Sequence, residues 1–116
     1  MSRFREIAAT LRGEFLALAA GRAAAMCALL ERLDAAPGDA EALAELQLAF
    51  HNFAGSGSTY GFPELSRLGS EGERWCQERR AEGAALDDGQ RRAARAFFDR
   101  VLAALREESP SPGAGS

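Results

Sequence analysis

No lysine occurs anywhere in these 116 residues. The fourteen basic side chains are all arginine, and seventeen acidic ones outnumber them for a formal net charge of −3. A nucleotide loop of the GxxxxGK[ST] type is therefore excluded, because its lysine is the group that reaches the terminal phosphates. The acidic balance also counts against nucleic acid as a partner, since that binding rests on neutralising phosphates with basic groups. Cysteine is scarce too: Cys27 and Cys76 stand far apart and outside any CxxC spacing, beside a single histidine, His51. That set is too thin for a metal centre of three or four ligands, so no metal site is expected. Both cysteines read as small apolar residues on helical faces. β-Branched residues are limited to Ile7, Thr10, Thr59 and Val101, and no strand signal results. The opening "MSRFREIAATLRGEF" has no continuous apolar leader core, and no stretch approaches membrane-span length. A cytoplasmic setting without membrane contact is the expectation.

What the chain does have is alanine and leucine in abundance, both strong helix formers, with apolar side chains at helical spacing. From Ser2 to Asp34 the stripe is Phe4, Ile7, Leu11, Phe15 and Leu18, continued by Met26, Leu29 and Leu33. Gly13 and Gly21 interrupt it, each at about 1 kcal/mol relative to alanine. A short first helix and a longer second one, with a break near either glycine, fit this pattern. "AAPGDAE" is a turn, with Asp39 suited to cap the next helix. That helix carries Leu43, Leu46, Phe50 and Phe53 and runs out in the Gly/Ser stretch from Gly55 to Gly61. Pro63 suits a first helical position, and Leu65, Leu68, Gly72, Trp75 and Arg79 mark the buried stripe that follows. Asp87 and Gln90 have capping-box spacing, and Ala94, Phe97 or Phe98, Val101, Leu102 and Leu105 carry the last helix. The expected fold is all-α: an antiparallel up-and-down four-helix bundle over residues 1–108, with a short additional N-terminal helix and a flexible tail over 109–116.

His51 lies one residue past Phe50, about 100° around the helix, on the rim of the core stripe. Its neighbours at three and four residues are Ala44, Gln47, Leu48, Ala54 and Gly55, mostly small. A protruding imidazole among low neighbours is one that another protein's cleft can reach. On the following helix Glu73 shares a side with Ser66, Gly69, Ser70 and Gln77, and the small residues there would let the two helices approach.

The stretch "HNFAGSGSTYGFPELSRLGSEGE" resembles the signature of histidine-containing phosphotransfer (HPt) domains, roughly H-x-x-K-G-(x5)-G-(x3)-L and onward to an acidic or amide residue. His51, Gly55, Gly61, Leu65, Leu68 and Glu73 fall at the corresponding positions, and Phe62 after Gly61 matches a common "GF". The resemblance is firm over residues 51–73. One position departs: Ala54 stands where the motif has lysine, whose ammonium helps to hold the phosphoryl group. Arg67 and Arg74 on the next helix are candidates to replace it.

The resemblance implies that His51 is phosphorylated on one ring nitrogen and that Glu73 orients it. A partner would dock over Gln47, Leu48, Asn52, Ala54, Gly55 and Ser70. The partners implied are a response-regulator receiver domain, which would supply both the aspartate and Mg²⁺, and a hybrid sensor histidine kinase. No cofactor of the chain's own is expected. The protein would be a monomeric phosphoryl carrier in a two-component phosphorelay, not an enzyme with its own kinase site. The alternative is a helical module that binds a receiver or kinase without relaying phosphate, weakened in transfer by the missing lysine.

Overall fold

A computed structural model of the chain describes residues 2–108 as four helices and no strand. They are α1 (Ser2–Ala35), α2 (Ala40–Tyr60), α3 (Pro63–Glu82) and α4 (Asp88–Glu108). The tail at 109–116 lies outside the described residues. Local chemistry sets the helix ends. Asp39 accepts a hydrogen bond from the Ala42 N–H at 2.9 Å and closes the start of α2. Pro63 opens α3, where the missing N–H costs nothing. Gly61 and Gly83, at φ 81° and 70°, end α2 and α3 in the left-handed conformation that glycine adopts without strain. At α4 the Gln90 N–H donates to Asp87 Oδ1 (2.7 Å) and the Asp87 N–H donates to Gln90 Oε1 (3.0 Å), a complete reciprocal box.

Three expectations are corrected. The first region is one unbroken helix of 34 residues, so there is no separate N-terminal helix. Gly13 and Gly21 both sit on its exposed side, with nothing within 4 Å of where a Cβ would stand. Their local cost of about 1 kcal/mol each is outweighed by the alanine, leucine and arginine around them. Continuity also makes α1, over Arg3–Ala35, long and apolar enough to cross a membrane by length and composition, contrary to the reading that no stretch was. In this fold the side of α1 carrying Phe15, Ala19, Met26, Leu30 and Leu33 is buried in the core. The third correction concerns the Gly/Ser stretch, which is helical through Tyr60; the turn is confined to Gly61 and Phe62.

Each helix contributes one stripe to a single core. Leu43, Leu46, Phe50 and Phe53 come from α2, Leu65, Leu68 and Cys76 from α3, and Ala94, Phe98, Val101 and Ala104 from α4. α1 packs on α2 and α4, and α3 packs on the same two, which makes a four-helix bundle. Contacts between α1 and α2 run from Arg32–Glu45 through Arg22–Ser56 to Phe15–Tyr60. Those between α2 and α3 run from Gln47–Arg80 through His51–Glu73 to Ala54–Ser66. In both pairs one helix's numbering rises as the other's falls.

The tightest packing is between α2 and α3, and glycine makes it so. A Cβ at Gly69 would stand 2.5 Å from the Ala54 backbone N and 2.7 Å from the Phe50 carbonyl O. One at Gly72 would strike the Phe50 ring at 2.4 Å, and one at Gly57 the Ser66 backbone N at 2.7 Å. Three missing side chains thus set the separation of the two helices that carry His51 and Glu73.

Candidate functional site

His51 follows Phe50, which is fully buried, and the turn of 100° per residue carries its imidazole out to the rim. Its side chain is 63% exposed. The Nδ1 lies 3.1 Å from both carboxylate oxygens of Glu73, whose side chain is only 24% exposed. An ionised carboxylate can only accept, so Nδ1 carries the proton and donates it to Glu73. In the neutral ring the lone pair is then on Nε2. The expected approach of α2 and α3 through Gly69 is what brings this pair together, whereas Ser70, the other small residue named for that role, is exposed and outside the contact.

The remaining expected site residues divide by face. Leu48, Asn52 and Gly55 are exposed on the outward side of α2 around His51. A Cβ at Gly55 would meet nothing within 4 Å, so the fold leaves that side of the imidazole open and does not itself demand glycine there. Gln47 is half-buried and accepts a hydrogen bond from Arg80 Nη1 at 2.8 Å. Ala54 is half-buried at the α2–α3 seam, its carbonyl accepting from Ser66 Oγ at 2.8 Å and its backbone against Gly69. Ser70 is exposed on α3, one turn before Glu73.

The two arginines named as replacements for the motif lysine fare differently. Arg67 is spent within α3: its guanidinium bonds Glu64 and Glu71, and the Glu64 hydrogen bond first, then both carboxylates' charges, hold its pKa well above the ordinary range. Arg74, exposed and adjacent to Glu73, has no hydrogen bond or ion pair among the described residues. Sequence reasoning missed Arg80 altogether. Its only sequence signal is its position seven residues after Glu73, two turns along the same side of α3. A cavity of about 360 Å³ lies further along, lined by Asp39, Leu43, Arg79 and Arg80 among others and not by His51. His51 itself stands on the open surface of α2.

A family model, that of the Hpt domain, matches residues 10–108. The chain belongs to the Hpt domain family. No curated protein and no solved structure matches it. Hpt domains in general serve histidine phosphotransfer in phosphorelays, where they interact with receiver domains and histidine kinases. The matched span takes in α2, α3 and α4 whole but begins inside α1, leaving the first turns of that helix outside it.

Proposed function

We propose that this Hpt domain carries a phosphoryl group on His51 Nε2, taking it from and returning it to the aspartate of a receiver domain. The observation that carries this reading is one ring with two sides: Nδ1 tied to Glu73, on a side chain that is otherwise largely exposed. The Nε2 lone pair attacks the phosphorus of the receiver's aspartyl phosphate. The P–O bond to the aspartate breaks, and its carboxylate leaves with the electron pair. Glu73 holds the tautomer and offsets the positive charge that grows on the ring. Phosphoryl transfer asks mainly for in-line placement and charge stabilisation, and the Mg²⁺ and aspartate belong to the receiver. Arg74 is the cation available to the transferred group where Ala54 replaces the motif lysine.

In the same reading the bundle is antiparallel and up-and-down, as the opposed numbering across α1–α2 and α2–α3 supports. A receiver docks over Gln47, Leu48, Asn52, Ala54, Gly55 and Ser70, and a hybrid sensor histidine kinase lies upstream. The domain is a cytoplasmic carrier with no kinase site of its own. The test is incubation with phosphorylated receiver domains. The wild type takes up acid-labile phosphate and His51→Gln does not; labelling of the mutant would overturn the assignment. The second reading, a module that binds receivers without relaying, is favoured by Ala54 alone. Tight receiver binding with no phosphate uptake would select it.

A further inference from the structure

The first three turns of α1 project past the core. Residues 3–11 are all exposed, and the first buried side chain of the helix is Phe15. Yet this segment is not polar. Phe4, Ile7, Leu11 and Leu18 are 76%, 54%, 44% and 50% exposed. At 100° per residue these four fall within about 60° of one another and form a single seam, turned roughly 85° from the stripe that faces the core. Their spacing of three, four and seven is that of a two-helix contact. Half of the seam, Phe4 and Ile7, precedes residue 10, where the family match begins.

We infer that this seam pairs α1 with α1 of a second copy, antiparallel, and that the protein is a weak homodimer, contrary to the expected monomer. The charges beside the seam specify the occupant. Arg3 and Glu14 lie on the same edge of it, both exposed, and neither has a hydrogen bond or ion pair among the described residues. In an antiparallel pair centred between Ile7 and Leu11, each Ile7 meets the second copy's Leu11. Phe4 lies across the stem of the second copy's Glu14, and each Arg3 stands beside the opposite Glu14. The seam is thus complementary to itself twice over. A parallel pair sets like residues level and brings neither charge to the other. Leu18 falls beyond the described residues of the second copy, so Phe4, Ile7 and Leu11 carry the contact; they expose on the order of 300 Å² per copy, a dimer through them falls below the usual size of a stable interface, and dissociation near ~100 μM is expected. The Arg22–Ser56 contact sets His51 level with about residue 27 of α1, roughly 27 Å along the helix from the dimer centre. Both histidines stay clear.

Sedimentation equilibrium of the full chain from about 5 to 500 μM tests this. A monomer–dimer equilibrium is expected, weakened at least tenfold by Ile7→Glu with no change in thermal melting, since Ile7 is far outside the core. Glu14→Arg should weaken it as well, and Arg3→Glu combined with Glu14→Arg should restore it. A wild type that stays monomeric throughout, an association indifferent to Ile7→Glu, or a double reversal that fails to restore would each overturn the proposal. So would monomer that binds phosphatidylglycerol vesicles through the same seam and releases them on Ile7→Glu, which would assign the seam to a lipid surface.

Discussion

Placing one methyl group at Gly69 should disable the site without touching it. The Cβ of Gly69→Ala would stand 2.5 Å from the Ala54 N, 2.7 Å from the Phe50 O and 2.9 Å from the Ala54 Cα. All three are backbone atoms of α2, so no rotamer change relieves the clash. Ordinary contact starts near 3.4 Å, and α2 and α3 must therefore part locally by about 0.9 Å (3.4 less 2.5). Added to the 3.1 Å of the His51–Glu73 bond, that opens it to about 4.0 Å, past hydrogen-bond range. Overpacking costs about 1–3 kcal/mol, offset by up to about 1 kcal/mol of helix propensity. The net loss, ~0–3 kcal/mol, lowers the melting temperature by at most roughly 25 °C in a domain of this size. The variant should stay folded at 20 °C. Phosphotransfer from a labelled receiver should slow about tenfold, the equivalent of ~1.4 kcal/mol for a charge-assisted hydrogen bond. Gly55→Ala is the control for propensity, since open space surrounds that position; it should raise the melting temperature. A Gly69→Ala protein that melts as high as wild type and transfers as fast would refute the claim that glycine spacing sets the site.

Glu73→Ala should slow transfer about tenfold with little change in melting, whereas Glu73→Gln, whose amide oxygen still accepts from Nδ1 but carries no charge to offset the ring's, should fall between it and the wild type; a wild-type rate in Glu73→Ala would remove the residue's role. Burial pushes the Cys76 thiol up to about 12, so a disulfide reagent at pH 8 should titrate Cys27 alone in the native protein and both thiols only after unfolding; equal native reactivity would contradict the packing of α3. The Ala42 N–H, then Arg32, hold Asp39 below its ordinary value of 3.8. Its folded-state stabilisation is thus present above that value and lost as pH falls through the depressed one. Denaturation midpoints followed from pH 6 to pH 2 should fall less steeply in Asp39→Asn, and parallel curves would dismiss the cap's contribution.

Features written in local chemistry were legible in the sequence. Asp39, Pro63 and the Asp87–Gln90 box each act within a few residues, and the structure uses all three. The pairing of His51 with Glu73 was legible because two helical periodicities and one motif converge on it. The parts that escaped depend on distant residues. Helix continuity through Gly13 and Gly21 is a cooperative sum over 34 residues and is not decided at each glycine separately. The Gly/Ser stretch looks like a loop by composition, yet it is helical, and Gly57 lacks a side chain there because α3's backbone lies against it. Gly72 falls on the buried stripe, where a leucine often packs, and only the Phe50 ring shows why no larger residue fits here. Arg80 on α3 reaches Gln47 on α2, a contact over 33 residues that its place on the Glu73 side of α3 suggests only once the register of the two helices is known.

The central claim is that Glu73 fixes the imidazole so that Nε2 receives the phosphoryl group. Nitrogen-detected NMR of the ¹⁵N-labelled protein after phosphorylation by a receiver reads this directly. The account requires phosphorus coupling at Nε2 of His51 and a proton retained on Nδ1. Coupling at Nδ1, which would break the bond to Glu73, contradicts it.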